Sequence, residues 1–152
     1  MPGHQPSMID DGNNAVMAHL LSNGDEARLR ETRALILVVD GRPDICDMLR
    51  QVLTIAGYRV TTALPGEAWI DQAMQSNDPP AFVLLDLSVP LIDADVFLRD
   101  LRLRWQAAPP ILIMTTSKHI HDELRATERV VLKPFRVHDL LVALQEMLPP
   151  LE

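Results

Sequence analysis

The stretch ALILVVDGRPDICDMLRQVL, residues 34–53, decides how the chain is read. Its apolar run 35–39 is rich in Val and does not alternate with polar residues, as expected of a strand buried on both faces. After it, Ile45, Met48, Leu49, Val52, Leu53 and Ala56 fall at the i, i+3, i+4, i+7 spacing of an amphipathic helix. Pro43 stands near the start of that helix and Gly57 just past its end. Strand passing directly into helix is the first half of a βαβ unit. The join between the two carries an acid, Asp40, followed by a glycine, Gly41, and not by a second acid.

The same rhythm continues outward from this stretch. Short apolar runs recur as YRVTTA (58–63), FVLL (82–85), ILIM (111–114) and VVL (130–132). All but the first of these four are continuous, which predicts strands buried on both faces. Between them lie helical patterns. Pro65 and Glu67 open one that contains Ala68, Trp69, Ala73 and Met74; Phe97, Leu98, Leu101 and Trp105 mark another. Val137, Leu140, Leu141, Leu144 and Leu148 mark the last, which Pro149 and Pro150 stop. Segment 118–127 has only Ile120 and Leu124 as spaced apolar residues, so its helix is expected to be short. Strands alternating with helices predict a doubly wound parallel α/β sheet with right-handed crossovers. Sites in such sheets lie outside the carboxyl ends of the strands.

Residues 1–33 differ in composition and read as a flexible N-terminal extension, with a short helix possible at 15–22 around AVMAHLL. Residues 149–152 read as a tail. The remaining length, within a chain of 152 residues, suits one domain with a real core. The net charge of −7 argues against general binding to nucleic acid or anionic membranes, which draw on basic surfaces. No apolar run approaches a membrane span, and the N-terminus lacks the basic start and apolar middle of a signal peptide. The single Cys46 can form no internal disulfide, so a cytoplasmic location is expected. Cys46 reads as a helix residue beside the buried face, and Trp69 and Trp105 as packing residues. His119 and His121, two apart, share no helical face and read as solvated and not as metal ligands.

The chemistry is expected at the strand ends. These carry Asp40, Asp86, Thr115 and Lys133: two carboxylates, a hydroxyl and an ammonium aimed at one edge. An Asp at a strand end is by itself more often a cap or a solvated loop residue. Four complementary groups at four strand ends suit phosphoryl transfer to a carboxylate. The incoming group is multiply anionic, so the attack needs cations: Mg²⁺ on one or two carboxylates, and a lysine on the phosphate.

At these residues the chain resembles the receiver domain of two-component response regulators, over about residues 34–148. The matching pieces are ILVVDGRPDI (36–45), FVLLDLSVPLID (82–93), PILIMTT (110–116) and VVLKPF (130–135). The resemblance implies a flavodoxin-like (βα)5 fold of strand order 2-1-3-4-5. It implies Asp86 as phosphoacceptor, with Asp40, Asp86 and the backbone carbonyl of Ser88 holding Mg²⁺. Lys133, Thr115 and Thr116 would contact the phosphate, with Thr115 as the switch hydroxyl. The implied partners are a histidine kinase or phosphotransfer protein and an output protein; a homodimer is common in the family. The expected function is a phosphorylated conformational switch without catalytic output of its own. No output domain follows residue 148, so the expectation is docking to a partner, or a chain that is a piece of a longer protein.

Several residues depart from the family pattern. Gly41 replaces an acid that commonly touches the metal, so weak Mg²⁺ binding is expected. Arg42 replaces another frequent acid. It is either a solvated side chain or a counter-charge that partly stands in for the metal. Val130 replaces the aromatic residue that many receivers couple to the threonine. Thr116 stands where Ala or Gly is common, and a bulkier residue there is expected to slow water attack on an acyl phosphate, testable by phosphate release from Thr116→Ala. Ala94 replaces a common glycine. The span from Thr115 to Lys133 is shorter than usual, at the fourth helix. Two functions therefore stand side by side: a phosphorylated receiver, and a pseudo-receiver that serves as a phosphorylation-independent interaction module. A small enzyme or flavin-binding protein of the same fold would need a phosphate-cradling loop after the first strand, and DGRPD (40–44) lacks its backbone donors.

Overall fold

The computed structural model describes residues 34–88 and 93–148. The expected N-terminal extension, its helix at 15–22 and the tail at 149–152 lie outside the described residues. Strands and helices alternate as β1 (Leu35–Val39), α1 (Pro43–Ile55), β2 (Arg59–Ala63), α2 (Glu67–Gln75), β3 (Phe82–Asp86), α3 (Ala94–Arg104), β4 (Ile111–Thr115), α4 (Lys118–Leu124), β5 (Arg129–Leu132) and α5 (Val137–Met147). The strands form one parallel sheet in the order β2-β1-β3-β4-β5.

Successive strand residues point to opposite faces, and each face carries its own core. Ile36, Val38, Phe82, Leu84, Leu112 and Met114 face α1 and α5, where they meet Leu49, Leu53, Leu140 and Leu144. Leu37, Val39, Val83, Leu85 and Ile113 face the other side, where they meet Trp69 and Ile70 of α2, Leu98 and Leu101 of α3, and Ile120 and Leu124 of α4. Each fully buried Leu or Ile contributes about 1.5–3 kcal/mol relative to exposure, so the two layers together dominate the stability. Trp69 and Trp105 are buried packing residues, as read from their helical spacing.

The expectation of strands buried on both faces holds for β1, β3 and β4. It fails for β5, whose residues are only half-buried or exposed. Strand order explains this: β5 and β2 are the two edges, each with a neighbour on one side only. Both edges open with an arginine held by an acid, Arg59 by Asp78 at 2.6 Å and Arg129 by Glu146.

Local sequence sets the joins. Pro43 begins α1, and the helix ends with Gly57 at φ 101°, where Gly57 N–H bonds Thr54 O and Tyr58 N–H bonds Leu53 O. Gly66, at φ 142°, precedes α2. α4 spans only seven residues and is capped by Ser117, whose hydroxyl accepts from Ile120 N–H at 3.2 Å. Among the described residues, no helix is long and apolar enough to cross a membrane.

Candidate functional site

The register of the sheet brings the strand ends level. Asp86 pairs with Met114 across β3 and β4, and Thr115 with Leu132 across β4 and β5. Beyond the ladder, Leu87 N–H bonds Met114 O at 2.9 Å and Lys133 N–H bonds Thr115 O at 2.7 Å. Asp40, Asp86, Thr115 and Lys133 therefore meet at the carboxyl edge of β1, β3, β4 and β5. The peptide bond between Lys133 and Pro134 is cis.

Lys133 is the hub. Its Nζ lies 2.5 Å from Asp40 Oδ2 and 3.3 Å from Asp86 Oδ1, and its side chain is 10% exposed. Asp40 is wholly buried, and its second oxygen accepts from the backbone N–H of Arg42 at 2.9 Å. A buried carboxylate is costly unless it is paired and hydrogen-bonded. Here the Lys133 ammonium and the Arg42 amide satisfy both oxygens. One cation serves two carboxylates, so the trio carries a net negative charge.

Asp86 is held from a second side. Ser88 Oγ donates to Asp86 Oδ1 at 2.5 Å, and the same hydroxyl accepts from Thr116 N–H at 3.1 Å. Thr115 Oγ1 is buried; it donates to Leu87 O and accepts from Ser117 N–H, both at 3.0 Å. The family resemblance took Ser88 for its carbonyl alone and missed the hydroxyl. The available signal was its spacing, since a serine two residues after an aspartate can reach back to that carboxylate.

Thr116 reaches the site through its amide, while the residue itself is exposed. Arg42 is not brought to Asp86: its guanidinium pairs with Asp44 at 3.1 Å, with both side chains about two-thirds exposed. A carboxylate in the first turn of α1 and open water together draw it outward. Of the two readings for Arg42, the geometry matches the solvated one. Cys46 lies behind Asp40, with Sγ donating to Asp40 O at 3.4 Å; burial first, then the charges of Asp40 and Asp47, push its thiol pKa up. His119 is exposed and beside Glu123, and His121 lies beside Asp122. Among the described residues no group of three or more His, Cys, Asp or Glu side chains could hold a metal. A groove of about 550 Å³ adjoins Asp86 between α2 and α3, lined by Trp69, Ile70, Phe97, Leu101 and Arg104.

Gly41 is imposed neither by its backbone nor by crowding. A Cβ built there would meet only Pro65 Cδ and Cγ at 3.7 Å, ordinary contact. The missing acid is a property of the site and not a packing necessity. What remains still fits a hard dication. Mg²⁺ commonly takes one or two carboxylates, with water and phosphate oxygens completing its shell, and Asp40 and Asp86 supply two.

The family model of the response regulator receiver domain matches residues 36–145. The chain belongs to this family. This receiver is 33% identical over 115 residues to the transcriptional regulatory protein KdpE of Mycobacterium tuberculosis, an alignment that covers 73% of the chain and 49% of KdpE. The chain thus spans about half the length of the curated relatives it matches. The chemotaxis protein CheY4 of Vibrio cholerae superposes with a TM-score of 0.61 at 30% identity, over 76% of this receiver and 98% of CheY4. The response regulator TrrA of Thermotoga maritima, solved in complex with Mg²⁺ and BeF, gives a TM-score of 0.63 at 26% identity, over 76% and 99%. The five-stranded parallel sheet in the order 2-1-3-4-5 is the flavodoxin-like arrangement of these neighbours.

Proposed function

We propose that this receiver accepts a phosphoryl group on Asp86 from a histidine kinase or phosphotransfer protein and passes the event on as a change of conformation. The observation that carries the reading is the grouping of Asp86 with Lys133, Asp40 and the Thr116 amide at one sheet edge. A carboxylate oxygen of Asp86 forms the new bond to phosphorus. The phosphorus–nitrogen bond to the donor imidazole breaks, its electron pair leaves with the nitrogen, and that nitrogen takes up a proton. Lys133 turns its ammonium from the carboxylates to the arriving anion. The resulting acyl phosphate shifts a two-state population that a partner reads.

Mg²⁺, held by Asp40, Asp86 and the Ser88 carbonyl, would supply further positive charge for the phosphoryl oxygens. Its binding is weakened by Gly41. The domain carries no turnover chemistry of its own and works in the cytoplasm, docking to an output protein or output segment. The acidic balance of −7 disfavours nucleic-acid contact by this segment.

A second reading, a pseudo-receiver used only for protein contact, draws support from the absence of an acid at position 41 and the lysine that already bridges both carboxylates. Intact mass after incubation with acetyl phosphate, with and without Mg²⁺ and beside Asp86→Asn, separates the two. The expected result is one added phosphate that is lost in Asp86→Asn and grows with Mg²⁺. No adduct under conditions that label an ordinary receiver would establish the pseudo-receiver instead.

A further inference from the structure

The Ser88 hydroxyl does more than hold the Asp86 carboxylate in place. It lies 2.5 Å from Asp86 Oδ1, the separation of two oxygens bonded to one tetrahedral phosphorus. It also accepts the Thr116 N–H at 3.1 Å, a donor that faces whatever oxygen occupies that point. Lys133 Nζ approaches the same Asp86 oxygen at 3.3 Å from β5. The hydroxyl is thus enclosed by the carboxylate on which a phosphoryl group would be built and by an amide suited to bond it.

We propose that Ser88 Oγ occupies, in the unmodified protein, the seat that one oxygen of a phosphoryl group on Asp86 takes, and so acts as a positioning residue that sets how readily the group is accepted. This rests on the reading of Asp86 as acceptor. The hydroxyl satisfies Asp86 and Thr116 at once, so the site is at rest without a phosphoryl group. The incoming oxygen must displace it and break both bonds before gaining the amide for itself. Hydrogen bonds to charged groups are the stronger kind. Losing the resident Ser88–Asp86 bond is therefore a real cost of binding. Removing the hydroxyl leaves the amide waiting for the anion, which raises affinity.

The test uses the full chain with beryllofluoride as probe, at saturating Mg²⁺. Affinity is read from tryptophan fluorescence in a Trp105→Phe background, which leaves Trp69 in the groove beside Asp86, and seat occupancy from the amide resonance of Thr116. In Ser88→Ala, beryllofluoride is expected to bind about tenfold tighter than in the wild type, with the Thr116 amide shifting on binding by more than in the wild type. Ser88→Thr, which keeps a hydroxyl, should stay within about twofold of the wild type. A serine with only a structural role would give the opposite sign, because its loss would loosen the loop and weaken binding. Equal or weaker binding to Ser88→Ala overturns the proposal, as does failure of both proteins to take the probe. Failure of the receiver reading is seen separately, as no Asp86-dependent adduct from acetyl phosphate in the wild type. If the wild type is unlabelled while Ser88→Ala binds beryllofluoride tightly, the seat proposal stands and the natural serine is what silences the site.

Discussion

At position 41 a single hydrogen stands beside Asp40, where the family commonly has an acid. The ordinary 3.7 Å contacts that a Cβ would make with Pro65 leave room for a side chain. Gly41→Asp is therefore expected to fold and to tighten Mg²⁺ by about tenfold or more, since ligand charge count tunes the affinity of such sites; isothermal titration of the variant against the wild type checks it. At Lys133 the same reasoning runs the other way. Lys133→Ala leaves the buried Asp40 without its ammonium, and breaking a buried pair typically costs about 3–5 kcal/mol. Urea unfolding should report that loss, and Lys133→Arg should recover only part of it because the fork of a guanidinium does not fit a point between two carboxylates. That Asp40, Asp86, Thr115 and Lys133 share one sheet edge was legible from their strand-end positions. The direction of Arg42 and the hydroxyl of Ser88 were not, because a rotamer answers to neighbours such as Asp44 and Thr116 that only the fold brings close.

Among the described elements, α4 is the shortest helix. It has seven residues, buries Ile120 and Leu124, and depends on the Ser117 cap. Ser117→Ala should cost about 1 kcal/mol, seen first as faster amide exchange in α4. The Lys118 ammonium, then His121, hold the Asp122 carboxyl below its ordinary 3.8. A lowered carboxylate stabilises above its unfolded pKa and ceases to do so as pH falls through the folded value. Protection factors in α4, taken against the intrinsic exchange rate at each pH, should thus fall below about pH 4, and Asp122→Asn should remove that pH step while leaving α1 unaffected. The turn that enters the neighbouring β5 is tied to α3 by Arg102 and Glu128, bonded twice at 2.6 and 2.7 Å. The shortness of α4 followed from its sparse apolar spacing. The exposure of β5 did not, because three apolar residues in a row look the same in an edge strand as in a central one.

For the whole molecule, the alternation of strand side chains between two cores makes the central strands β1, β3 and β4 the common wall of both layers. Leu84→Ala and Leu85→Ala, adjacent in β3 but facing opposite layers, should each cost about 2–5 kcal/mol and unfold cooperatively with the rest in urea. The sheet's outer rims complete the picture. β2 and β5 are four or five residues long and open with arginines bound to Asp78 and Glu146. Short strands with charged side chains at the margin discourage a second chain from extending the ladder. Any protein that recognises this domain is thus steered away from backbone pairing and toward side chains presented by helices and loops, so its selectivity is written in residue identity and can drift between paralogues without touching the hydrogen-bonded frame beneath.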